Sequence, residues 1–170
     1  MKQSTLLLLC IWAFNTYGQA WTYNYNAAEF DQIVGFGLAS SPPISADVVN
    51  ANGSLVAAEL KLELGRFDND CSLFAQISGS GLTTAAEVSQ ITFYTEIDGS
   101  FVRREYPAYQ ASVGAAVTYN VNLLSEDLFH GLRCKVVAYN NQGGRSFAAV
   151  FSLRGSSSTI TQLKGDCQEE

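Results

Sequence analysis

One histidine, His130, is the whole imidazole content of this 170-residue chain. Zinc centres built on several histidines are thereby excluded, and a Ser-His-Asp centre would have to use that one residue. No serine sits in a nucleophile-elbow pattern, so His130 reads as an exposed loop residue at a strand entrance. Charge is also scarce: charged residues are 15% of the chain, 10 basic against 16 acidic, for a formal charge of −6. Arg103-Arg104 is the one adjacent basic pair. An acidic chain without a basic stripe is a poor partner for nucleic acid or an anionic membrane. Long apolar runs are missing too. The longest useful one, Leu6 to Phe14, falls short of the roughly 20 residues that span a bilayer, so no membrane span is expected. No window of 11–18 residues carries a convincing helical period, and no phosphate-loop or cofactor motif is present. No cofactor and no metal are expected. Asp68-Asn69-Asp70 is the one acidic cluster with oxygen-ligand character; it reads as a turn, with a weak calcium site as the other reading.

The N-terminus has the parts of an export signal. Lys2 is a short basic region, Leu6 to Phe14 an apolar core, and Thr16 and Gly18 are small residues two apart. Residues 1–18 are therefore expected to be removed, with cleavage after Gly18 or alternatively after Ala20, and the product to be secreted and extracellular. Of the four cysteines, Cys10 lies in the signal, which leaves Cys71, Cys134 and Cys167. Cys71 and Cys134 both fall in alternating apolar patterns, so they are expected to pair. Cys167 sits in a polar tail and reads as an intermolecular bridge making a homodimer, or as a free or capped thiol. Asn52-Gly53-Ser54 is a turn and an N-glycosylation acceptor at Asn52.

Period-two patterning dominates the rest. Leu60, Leu62 and Leu64 alternate with Glu59, Lys61 and Glu63, which predicts a strand with one wet face. Cys71, Leu73, Ala75 and Ile77 form a second inward set. Val88 to Ile97 is a third strand, and Asp98-Gly99 joins it to Phe101 to Tyr106 in a hairpin. Val113 to Leu124 predicts another strand, followed by a loop or single helical turn at Ser125-Glu126-Asp127. Leu132, Cys134, Val136 and Ala138 alternate with Arg133, Lys135, Val137 and Tyr139. Asn140 to Gly144 then turns the chain into Arg145 to Leu153. About seven strands at this spacing predict an all-β, antiparallel sandwich. Residues 19–54 are expected as a lead-in with short edge strands, 55–154 as the sandwich, and 155–170 as a polar C-terminal tail.

The run Leu132, Cys134, Val136, Ala138, Asn140, Gly143 and Ser146 is similar to the F strand and F–G turn of fibronectin type III modules. The chain over residues 55–153 resembles the immunoglobulin superfamily, with Cys71 and Cys134 similar to its inter-sheet bridge. It departs from that family in having Phe93 near the place of the core tryptophan and Leu132 in place of the corner tyrosine. The resemblance implies an immunoglobulin-like sandwich with one inter-sheet disulfide, acting in adhesion or recognition of an extracellular protein or glycan without catalysis. Surplus aromatics on or near strands (Tyr94, Phe101, Tyr106, Tyr109, Tyr139) fit recognition or sheet packing. Arg103, Arg104, Tyr139, Asn141 and Gln142 are the expected contact surface. A β-barrel or sandwich carrier of a small hydrophobic ligand is the alternative, and a secreted hydrolase has the least support.

Overall fold

Strand follows strand in the computed structural model, which describes residues 20–26, 36–67, 71–84, 87–111 and 114–165. The order is β1 Thr22–Asn26, β2 Phe36–Ser40, β3 Ile44–Val49, β4 Leu55–Phe67, β5 Leu73–Gly79, a 3-10 turn Ser80–Thr84, β6 Val88–Ile97, β7 Ser100–Pro107, β8 Tyr109–Ala111, β9 Ala115–Tyr119, helix α1 Asn122–His130, β10 Arg133–Asn140, β11 Arg145–Ser152 and helix α2 Ser156–Gly165. All pairings are antiparallel and run β7-β6-β10-β11-β3-β4-β5-β9-β8, with β2 beside β4 and β1 beside β2. The all-β expectation holds. One eleven-stranded sheet curls into a nearly closed barrel, where two separate sheets were expected. The curl has a weak seam. β11 and β3 share the single register pair Phe147↔Val48, whereas β10 and β6 are paired over eight residues. At the other end the curl closes where β8 meets β6, through Ala108 N–H to Ser89 O (2.8 Å) and Val88 N–H to the Gln110 side chain (3.2 Å).

The strongest local signal behaves as its chemistry demands. Asp98 and Gly99 take φ of 49° and 76°, two successive left-handed residues, and close the two-residue hairpin of β6 and β7. Two longer turns, Asn50–Ser54 and Asn140–Gly144, use one design. In each the asparagine side chain accepts two backbone N–H groups, at 3.0 and 2.9 Å in the first and 3.0 and 2.8 Å in the second. Gly53 and Gly143 each take a left-handed φ in the same place, 79° and 76°.

The interior is filled with side chains. Leu60, Leu62 and Leu64 from β4, Ile77 from β5, Phe93 from β6, Cys134 and Val136 from β10, and Phe147 and Phe151 from β11 are all buried in one cluster. Phe93, the large aromatic of β6, is fully buried in that core.

Four parts of the fold differ from expectation. The segment read as a lead-in is integral, since β2 and β3 pair along β4 on the same edge. The wet face of β4 holds for Glu59 and Lys61 but not for Glu63, which is buried beside β2. Val121 to Leu124 is not strand, and α1 runs two and a half turns. Residues 155–165 are not a polar tail: α2 packs on α1, β1, β2 and β4, while 166–170 lie outside the described residues. Buried positions in the two helices explain why they were missed. Val121, Leu124, Ser125 and Leu128 follow the i, i+3, i+4, i+7 spacing, as do Ser156, Thr159, Ile160 and Leu163. Small hydroxyl residues occupy inward positions in both, which mutes the apolar period.

Candidate binding surface

The expected basic pair splits across the sheet because neighbouring residues of a strand point to opposite faces. Arg104 points inward from β7. Its Nε lies 2.7 Å from Asp127 Oδ2 and its Nη2 3.3 Å from Oδ1, in an ion pair with α1. The hydrogen bond that Arg104 donates to Asp127 raises the Arg104 pKa above its already high ordinary value. Arg104 therefore leaves the expected contact surface and instead pins α1 into the gap beside β7. Tyr106 also turns inward, edge-on to Phe93 at 6.0 Å, and burial pushes its hydroxyl pKa up.

Arg103 points out. The registers place it in one of four rows across the outer face of β7, β6, β10 and β11. Phe101, Glu96, Arg133 and Ser152 form the first row, and Arg103, Tyr94, Lys135 and Val150 the second. Glu105, Thr92, Val137 and Ala148 form the third, and Pro107, Gln90, Tyr139 and Arg145 the fourth. The face carries four cationic side chains against two carboxylates, the reverse of the balance of the chain. Glu105 pairs with Arg103 and Glu96 with Arg133. The Arg133 guanidinium also lies 6.0 Å above the Phe101 ring centre, at cation–π range. Lys135 and Arg145 are the cations of this face outside those pairs. Phe101 remains 60% exposed and Val150 51%. At the middle of the face Thr92 and Val137 are buried, and the Thr92 hydroxyl has no hydrogen-bond partner.

Of the expected contact residues, Arg103 and Tyr139 share this face. Asn141 and Gln142 project from the turn beside it, where Asn141 Nδ2 donates to Glu87 Oε2 at 3.0 Å. Arg133, Lys135, Glu96 and Val150 were missed as site residues. For Arg133 and Lys135 the signal was present in the polar half of the β10 alternation, which shows the wet face of the strand as plainly as Cys134 and Val136 show the dry one. Asn52 is exposed on the other matching turn, at the same end of the barrel as Asn141, with the β11–β3 seam between the two turns.

The cysteines do not pair as expected. Cys134 is a free, fully buried thiol on β10, and the Thr95 hydroxyl donates to its sulfur at 3.6 Å. Burial raises its pKa to about 12. Cys71 is disulfide-bonded. Cys134 is free, so the partner of Cys71 lies outside the described residues. Cys71 lies before β5 starts, exposed and with a left-handed φ of 56°, so it leaves the inward-facing set. Cys10, Cys167, the signal segment 1–18 and the Asp68-Asn69-Asp70 cluster also lie outside the described residues. His130 is at the end of α1, exposed, with its ring edge-on to Phe129 at 4.8 Å. Among the described residues no group of three or more His, Cys, Asp or Glu is arranged to hold a metal. Among the described residues no helix is long and apolar enough to cross a membrane. No protein-family model, curated protein or solved structure gives a significant match to this chain.

Proposed function

We propose that the chain is an exported, non-catalytic recognition module that docks an acidic extracellular glycan on the outer face of β7, β6, β10 and β11. The observation that carries this reading is the reversal of charge on one face. Four cations and three aromatics gather on one face of an otherwise acid-rich chain. Arg103 and Lys135 flank Tyr94 from the strands on either side, about 10 Å apart across two strand spacings. Sulfate or uronate groups would meet the guanidinium and ammonium groups, and sugar C–H faces would rest on Tyr94 and Phe101.

The strand order supports an immunoglobulin-like relationship. β7-β6-β10-β11 runs as C′-C-F-G of a variable-type sheet, and β5-β9-β8 as B-E-D of the opposing one. β3 then takes the place of the first strand, with β4 an added strand between it and β5. The filled interior speaks against the hydrophobic carrier, because the space such a ligand needs holds Phe93, Phe147 and Phe151. The export-signal pattern at the N-terminus supports secretion.

Retention on immobilised heparin tests the reading. The wild-type protein should bind at low salt and elute as salt rises, despite its net negative charge. The R103E/K135E double variant should pass through unretained with its fold intact. Wild type that fails to bind, or a double variant that binds equally well, would overturn it.

A further inference from the structure

A different surface holds a buried carboxylate. On the outer side of β1, β2 and β4 lies a cleft of about 600 Å³ with Glu63 at its floor. That volume is in the range of small-ligand sites. Glu63 is 8% exposed. It belongs to a cross-strand row, Thr22–Ser40–Glu63–Gln76, set by consecutive registers of β1, β2, β4 and β5. The Ser40 hydroxyl donates to Glu63 Oε1 at 3.0 Å and the Gln76 amide to Oε2 at 2.6 Å. Both donors are neutral, and among the described residues no cation pairs with this carboxylate.

A carboxylate offers about four acceptor positions, and these two bonds use one on each oxygen. The second acceptor position on each oxygen takes no hydrogen bond from the described residues, and two neighbours hold the group in place. Burying a carboxylate carries a desolvation cost that an uncharged side chain at this register position would avoid. Leu38, Pro42 and Pro43 supply apolar walls, and Asn24 and Lys61 supply polar groups at the rim. Trp21 backs the cleft, its indole fixed by Nε1–H to Ser152 O at 2.9 Å.

We propose that this cleft is a second binding site, for a neutral saccharide whose vicinal hydroxyls donate as a pair to Glu63. Two adjacent hydroxyls match the two open acceptors, sugar C–H groups match the proline and leucine walls, and Asn24 completes the polar contacts. The site is distinct from the cationic face of β6 and β10 and does not depend on it.

Amide chemical-shift titration of the ¹⁵N-labelled protein tests the proposal, with maltotriose, cellotriose, mannotriose and chitotriose as separate millimolar probes. At least one should shift the amides of Asn24, Ser40, Ser41 and Lys61. Glu63→Gln should weaken that probe about tenfold or more, as loss of hydrogen bonds to a charged acceptor does. Asn24→Ala, at an exposed position, should weaken it several-fold with the fold intact, which covers the case of Glu63→Gln failing to fold. Absence of shifts with all four probes would overturn the proposal. So would shifts confined to other surfaces, or unchanged affinity in a folded variant.

Discussion

Breaking the Arg104–Asp127 pair from its two ends should cost unequal amounts. The Asp127 side chain is 9% exposed and that of Arg104 32%. Removing Arg104 leaves a carboxylate beneath α1 with its charge uncompensated, close to the buried limit of about 3 kcal/mol or more. Removing Asp127 leaves a guanidinium already a third in water and on a long stem, which can swing outward. Arg104→Ala should therefore cost about 3 kcal/mol, and Asp127→Ala about 1–2 kcal/mol, between the exposed and buried cases. Replacing both by apolar residues, Arg104→Met with Asp127→Leu, should restore most of the loss, because neither charge is then buried alone. Urea unfolding followed by tryptophan fluorescence measures all three, and an unchanged slope with denaturant shows that stability alone has altered. In thermal unfolding each kcal/mol corresponds to about 2–4 °C at this chain length. Equal losses from the two single changes, or losses below about 0.5 kcal/mol in both, would refute the view that this pair seats α1 in the gap beside β7.

The two cysteines among the described residues make further predictions. Cys134 should not react with an aromatic disulfide reagent at pH 8 in the native protein and should react fully in guanidinium, because burial holds the thiol neutral. Its pKa rises on folding, from 9.0 to about 12. Its contribution to stability is therefore complete below about pH 9 and is lost as pH rises towards 12, where only the unfolded chain can ionise the thiol. Cys134→Val should flatten that part of the stability–pH curve, and an unchanged curve would contradict the cause given. Peptide mapping without reduction should find Cys71 linked to Cys167 within one chain, the cysteine left to it with Cys134 free and with Cys10 lost on the expected cleavage of residues 1–18. The protein should then run as a monomer on a non-reducing gel; a Cys167-linked dimer with Cys71 reduced would show the opposite pairing.

Strands were legible where one face is wet. From Arg133 to Val136 β10 alternates cleanly because its outer residues meet water and its inner ones meet the core, and the Asp98-Gly99 turn is nearly self-sufficient since both residues tolerate a left-handed φ. The helices were hidden by what they pack against. Ser125 sits at an inward position of α1 with its hydroxyl on Asn122 O at 2.7 Å, and Ser156 at the start of α2 reaches Leu128 O at 2.7 Å. Local hydrogen bonding lets these polar groups be buried, and an apolar-period search does not detect it. The cysteine pairing failed for a related reason. Alternation places Cys71 inward only if the strand continues back to it, and the strand stops two residues short.

The same limit separates the two candidate surfaces. The cationic face could be drawn from sequence, since its members are the exposed half of strands already recognised; what was missing was the neighbour relation that sets Lys135 beside Tyr94 and Arg103. The Glu63 cleft could not. In sequence Glu63 is one of three acids and bases alternating with leucines on β4, indistinguishable from Glu59 and Lys61. It differs only because β2 reaches that far along β4 while β3 covers the other half of the same edge. The break at Ser41-Pro42-Pro43 makes that division, and Ser41 completes it: its hydroxyl accepts Leu62 N–H at 2.9 Å, and its own N–H donates to Leu62 O at 2.8 Å. A pair of prolines that reads as a strand breaker is thus also what shapes the cleft wall and brings Ser40 to the carboxylate.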